Sequence, residues 1–321
     1  MFVGDPPGRP YYFMNDFAID TQHLRKEFGN KTAVSDLTLQ VKRGEVFGFL
    51  GPNGAGKTTS VKMLLGLIQP TAGAATLLGQ PLGDRAARTK IGYLPEHFRF
   101  HEWLKAAEFL DLHGRLYGMS KTKRQEVIPD LLELVGLGDR AETPLRAFSK
   151  GMLQRIGLAQ TLLNDPDLIF LDEPTSGLDP IGRRLVRDII NHLKELGTAV
   201  FLNSHLLSEV EKTCDRVTFI RLGQTLETID LHKFQEDAVH LSLRVGEPSN
   251  QLLTDLEQFG QDVMIEGVNG RIQLCLPEEA TIPKLASWLT AEGYTLYELS
   301  PKVISLEDRF LQIIGKEGSV A

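Results

Sequence analysis

Three short runs of apolar residues do not alternate with polar ones: EVFGFL at 45–50, LIFL at 168–171 and AVFLN at 199–203. Runs of this length predict strands buried on both faces, as in a parallel sheet covered by helices. Elsewhere the apolar spacing changes to i, i+3, i+4, which predicts helices. These stretches are TSVKMLLGLI (59–68), WLKAAEFLDLHGRLYG (103–118), KRQEVIPDLLELVGL (123–137) and LQRIGLAQTLL (153–163). Buried strands followed by helices predict an α/β fold for most of the chain.

Beyond about residue 230 the pattern changes again. HLSLRV (240–245) alternates as a strand with one buried face, and NQLLTDLEQFG (250–260) reads as a helix. DVMIEGVNGRIQLCL (262–276) reads as two strands around Asn269-Gly270, a strong hairpin signal. A helix, TIPKLASWLTAEG (281–293), and a strand, YTLYEL (294–299), complete the order β-α-β-β-α-β. That order predicts a small ferredoxin-like α+β domain over about 238–316. No catalytic constellation is visible in it; a regulatory or dimer-stabilising role is the expectation. Residues 1–15 hold Pro and Gly without periodicity and read as a loose extension rather than a signal peptide.

Composition narrows the class. At 321 residues and 42% hydrophobic content the chain can bury a sizeable core and hold two domains. A net charge of −7 argues against nucleic acid as a partner. The two cysteines, Cys214 and Cys275, sit in no metal-ligand spacing and read as reduced structural thiols of a cytosolic protein. No apolar run is long enough to span a bilayer, so any membrane part must come from another chain.

The chemistry is concentrated in two places. GPNGAGKTT (51–59) fits the P-loop pattern through Gly51, Gly56, Lys57 and Thr58, and it lies between a predicted strand and a predicted helix. Glycines let backbone N–H groups turn inward around phosphate, and the helix start adds partial positive charge. Lys57 is expected to reach the β- and γ-phosphates, and the Thr58 hydroxyl to bind Mg²⁺. The strand at 168–171 then ends in Asp172 and Glu173. Asp172 suits the Mg²⁺ shell, and Glu173 suits the orientation or deprotonation of an attacking water. Ser149 in FSKGM (148–152) precedes a helix. Its hydroxyl can cap that helix, or meet a phosphate there; the residues alone leave both open.

These motifs occur in the order of one family, and over about residues 16–230 the chain resembles an ATP-binding cassette (ABC) ATPase. The resemblance implies the fold, a P-loop NTPase cassette with a helical subdomain at about 97–165. It implies that Phe28 in FGN stacks on adenine and that Asn53, Gly54, Ala55, Gly56, Lys57, Thr58 and Thr59 cradle the phosphates of ATP. IGYLPE (91–96) takes the Q-loop place, with Glu96 where glutamine is usual. A carboxylate there can still meet Mg²⁺, but when ionised it cannot donate a hydrogen bond. FSKGM takes the signature place. Phe148, Lys150 and Met152 depart from the common form, while Ser149 and Gly151 are kept to meet the γ-phosphate on a second cassette. SGLD (176–179) is the D-loop, with Asp179, and His205 of FLNSH is the H-loop histidine that links γ-phosphate to Glu173.

The partners implied are a second cassette, most simply another copy, and an integral-membrane permease. The place implied is the cytoplasmic face of the membrane. The ending SLEDRFLQIIG (305–315) is similar to that of ATPase subunits of ABC-2-type exporters, so export is the expected direction. The other reading is a soluble ABC ATPase of the ribosome-associated or DNA-repair type. Against it, the chain holds one cassette and no long coiled-coil or zinc insertion.

Overall fold

The computed structural model describes residues 16–98, 100–236, 239–246, 248–266, 271–302 and 305–316. The chain divides into two units, Met1–Ile229 and Asp230–Ala321.

The first unit opens on two long antiparallel strands, β1 (Phe17–Phe28) and β2 (Lys31–Lys42). The first apolar run becomes β3 (Val46–Leu50), buried at every residue, and leads through the glycine loop into α1 (Lys57–Leu64). A short hairpin, β4 (Ala72–Leu77) and β5 (Gln80–Pro81), precedes α2 (Arg85–Arg88) and β6 (Ile91–Leu94). Three helices follow: α3 (Ala106–Leu116), α4 (Lys121–Leu134) and α5 (Lys150–Leu162). The other two apolar runs become β7 (Leu168–Asp172) and β8 (Ala199–Asn203), and each is followed by a helix, α6 (Pro180–Glu195) and α7 (Leu207–Thr213). β9 (Arg216–Arg221) and β10 (Gln224–Asp230) close the unit.

Ten strands form one sheet in the order β5-β4-β1-β2-β10-β9-β3-β8-β7-β6. The half from β9 to β6 is parallel, and the half around β1 is antiparallel. The parallel half carries a knot of buried aromatic rings: Phe201 lies 5.9, 5.2 and 5.3 Å from Phe47, Phe49 and Phe170. Stacked and tilted rings at such distances add to the apolar burial of the sheet. The register matters for function. β3, β7 and β8 run parallel, so their carboxyl ends meet at one edge, where ligands bind in α/β sheets.

The helical stretch reads as three helices, with Pro129 inside α4. Arg124 is buried, and its Nε donates to Asp111 Oδ1 at 2.6 Å, joining α4 to α3. α5 is tied to the end of α4 by Arg155, whose Nη1 donates to the Val135 and Gly136 carbonyls.

The second unit begins with α8 (Leu231–Glu236) and continues as β11 (Val239–Val245), α9 (Asn250–Leu256), β12 (Gln261–Glu266) and β13 (Arg271–Leu276). α10 (Thr281–Ala291), β14 (Leu296–Lys302) and α11 (Leu306–Lys316) complete it. From β11 to β14 the order is β-α-β-β-α-β, and the antiparallel sheet runs β12-β13-β11-β14. That is the ferredoxin-like arrangement. Leu241, Leu243, Ile272 and Leu274 alternate inward against Leu252 and Leu285. The Asn269-Gly270 turn lies outside the described residues, as does the extension at 1–15.

The ending SLED is a capping box. Ser305 Oγ accepts from the Asp308 backbone N–H at 3.1 Å, and Asp308 Oδ2 accepts from that of Ser305 at 3.1 Å. The exchange satisfies two donors at the start of α11 while Leu306 is fully buried.

Candidate nucleotide-binding site

At two positions the glycine loop that leaves β3 has no room for a side chain. A Cβ on Gly51 would lie 2.2 Å from the Ile220 carbonyl oxygen, and one on Gly56 would lie 2.7 Å from that of Ala33. Gly56 also holds φ 105°, a conformation that L residues rarely adopt. It is the N-cap of α1, with no side-chain cap and no acidic residue in the first turn. The first N–H groups of α1 therefore have no intrahelical acceptor and no competing side chain, the arrangement that favours an anion. Lys57 Nζ reaches back to the Gly51 and Pro52 carbonyls at 2.6 and 3.1 Å. Burial pushes its ammonium pKa down, against the pull of Glu173, Asp172 and Glu96.

Those carboxylates come from neighbouring strand ends. Asp172 is buried at the end of β7, and Asn203 Nδ2 donates to its Oδ1 at 2.5 Å. Glu173, also buried, sits at φ 53° with its N–H donating to the Asn203 carbonyl at 2.8 Å. The positive φ is a strained conformation for glutamate, of the kind that occurs at functional sites. His205 Nδ1 stands 2.8 Å from Glu173 Oε2. Burial raises the Glu173 carboxyl pKa, and the His205 hydrogen bond holds it partly down. Burial also raises that of Asp172, partly offset by Asn203.

A cleft of about 720 Å³ joins these parts. Asn53, Gly54, Gly56, Lys57, Thr58, Thr59, Glu96, Glu173 and His205 line it, all of them expected from sequence. An anion on the loop would face a cation, a histidine and a poised carboxylate, which suits attack of water on a phosphate.

A model of the ABC transporter family matches residues 34–176. An uncharacterised ABC transporter ATP-binding protein of Synechocystis sp. is 42% identical, over 89% of this chain and 79% of that protein. The chain belongs to the ABC transporter family. Nod factor export ATP-binding protein I of Rhizobium sp. is 37% identical over 95% of this chain and 99% of its own length. A solved ATP-binding subunit of an ABC transporter is 30% identical with a TM-score of 0.63, over 68% of this chain and 92% of its own. The chain is thus an ATP-binding, ATP-hydrolysing ABC subunit. No described helix is long and apolar enough to cross a membrane.

Several expected residues of the cassette stand apart from the cleft lining. Ser149 is exposed at the N-cap of α5, and its Oγ accepts from the Met152 N–H at 3.3 Å. Gly151 follows in the first turn, and Lys150 lies against Gly177 of the D-loop. Asp179 caps α6 through a 2.7 Å bond from the Gly182 N–H. Phe28 is half exposed at the end of β1, with Lys26 Nζ 4.9 Å from its ring centre. Ala55, within the loop, and Asp172, at the end of β7, are both buried. Conversely, Lys31, Thr32, Ala33, Asn203 and Leu222 line the ABC cleft without having been singled out. Leu222 is far from every motif in sequence, and no local signal marks it.

The donors near the loop are the Thr58 hydroxyl and the Asp172 and Glu96 carboxylates. Hard oxygen ligands of this kind fit Mg²⁺. Among the described residues no group of three or more His, Cys, Asp or Glu forms a self-sufficient metal site.

Proposed function

We propose that the chain is the motor of an exporter, acting as a pair of cassettes on the cytoplasmic face of a separate permease. The observation that carries its chemistry is the Glu173–His205 contact of 2.8 Å, held in the same cleft as Lys57. Lys57 and the loop N–H groups bind the β- and γ-phosphates. Thr58 and Asp172, with Glu96 near them, would hold Mg²⁺, which when bound would neutralise phosphate charge. Glu173 accepts a proton from the attacking water, and His205 orients Glu173 and meets the γ-phosphate. Ser149, exposed at a helix start, and Gly151 in the first turn of that helix complete the site on a facing copy, with Asp179 at the junction. Phe28 stacks on the base.

Export rests on the likeness to the Nod factor export protein over nearly the whole chain and on the SLED ending. The test is purification of the tagged chain from gently solubilised native membranes. A polytopic membrane protein should accompany it. Recovery with ribosomes or DNA-repair proteins alone would overturn the transport reading.

Two further outcomes check the assignment. Ser149→Ala should lower ATPase activity at least roughly tenfold, whereas loss of a cap alone costs about 1 kcal/mol and a few degrees of melting temperature. Unchanged turnover with lowered stability would leave Ser149 a cap. The pH dependence has a defined sign. Glu173 must be ionised to accept a proton, and its pKa lies above the ordinary glutamate value of 4.5. The acidic limb of kcat should therefore lie above that value, and His205→Ala should move it further up in the residual activity. A limb at or below the ordinary value would remove Glu173 from the base role.

A further inference from the structure

Leu222 and Gly223 form the two-residue turn between β9 and β10, with φ of 49° and 80°. Two positive φ values mark the type I′ pattern, which favours Asn-Gly and strains a leucine. The same pair occurs once more among the described residues: Leu78-Gly79 joins β4 to β5 at φ 53° and 82°. There the side chain explains the residue, because Leu78 packs against the buried core of the sheet. Leu222 is 78% exposed. It lines the nucleotide cleft beside Lys31, Thr32 and Ala33.

The turn is held by its backbone. Gly223 N–H donates to the Ala55 carbonyl of the glycine loop at 2.8 Å, and its carbonyl accepts from Ser35 N–H at 2.8 Å. A Cβ on Gly223 would lie 2.6 Å from Val34 Cα. These contacts place the turn against the loop without help from the leucine side chain. Strand order then gives direction to the cleft. β8 and β7, which lead into His205 and Glu173, lie on one side of β3; β9, β10 and β2 lie on the other. A nucleotide with its phosphates on the loop and its γ-end at Glu173 extends its nucleoside towards Leu222 and Lys31.

We infer that Leu222 is a nucleoside contact, an apolar wall against the ribose and base of bound ATP that favours a nucleoside triphosphate over bare polyphosphate. The inference rests on the reading of this cleft as the ATP site. Leu222 takes a strained backbone that asparagine would occupy more easily, and its return is ligand burial.

The test is calorimetric titration of the full chain and of Leu222→Asn with ATP and with inorganic tripolyphosphate, each with Mg²⁺, beside thermal melting. Asn suits the turn, so the variant should melt no lower than wild type. Its ATP affinity should fall roughly three- to tenfold, the scale of losing a partly buried leucine contact, and its tripolyphosphate affinity should not change. Leu78→Asn should do the reverse, lowering the melting temperature and leaving ATP affinity unchanged. Equal ATP affinity in Leu222→Asn and wild type would overturn the inference, as would equal weakening of both ligands. Wild type that binds tripolyphosphate but gains nothing from the nucleoside would sink it and leave the phosphate site standing. Wild type that binds neither ligand would remove the ATP-site reading itself.

Discussion

Glu173→Gln should cut ATP turnover by roughly 10²–10⁴-fold while leaving ATP bound. The substitution keeps the shape of the side chain and removes its capacity to take a proton. Its effect on folding should be small and opposite in sign. Burial raises the Glu173 pKa, so its ionised form costs stability, and that cost is present at neutral pH and relieved as pH falls through the folded pKa. A neutral amide removes the cost, so the variant should melt no lower than wild type at pH 7. Light scattering with Mg·ATP should then show a dimer, because the closed pair cannot discharge its nucleotide. Turnover within a fewfold of wild type would take Glu173 out of the chemistry. A monomer with full ATP occupancy would instead point to a different partner cassette or to a need for the permease.

Lys57→Ala is the second large effect, and it acts on binding. The ammonium stands among Glu173, Asp172 and Glu96, which all favour its charge. Without it, those carboxylates would face an incoming triphosphate with their main neighbouring cation gone. A charge-assisted hydrogen bond contributes about 1.5–3 kcal/mol, so ATP should bind roughly 10- to 150-fold more weakly. The variant loses the two Lys57 bonds to the Gly51 and Pro52 carbonyls, but the loop should survive, since the Gly223 N–H still donates to the Ala55 carbonyl at 2.8 Å and the Ala55 N–H to that of Pro52 at 3.2 Å. Fluorescent-nucleotide titration measures the change, and an affinity within threefold of wild type would refute the role.

Phosphate chemistry and the parallel strands were legible because both are local. A P-loop is a contiguous run in which each glycine answers a backbone demand, and non-alternating strands such as β3, β7 and β8 announce burial on two faces. The ferredoxin-like order was legible for a similar reason: β11 and β13 alternate cleanly, and turn and helix signals separate the strands. The antiparallel half of the first sheet was silent. β1 and β2 contain register shifts near Thr21, Leu24 and Lys26, which break the alternation that a sequence reader relies on.

The sequence by itself determined the phosphate loop, the acidic pair Asp172 and Glu173, the histidine and the family order that joins them. Tertiary structure decided the rest. It brought His205 to 2.8 Å from Glu173 across adjacent strand ends, and it buried both carboxylates so that their pKa values rise. It also set Leu222 on the nucleotide cleft through the pairing of β9 with β3. Those outcomes depend on which strands become neighbours, a choice made by long-range burial and hydrogen bonding.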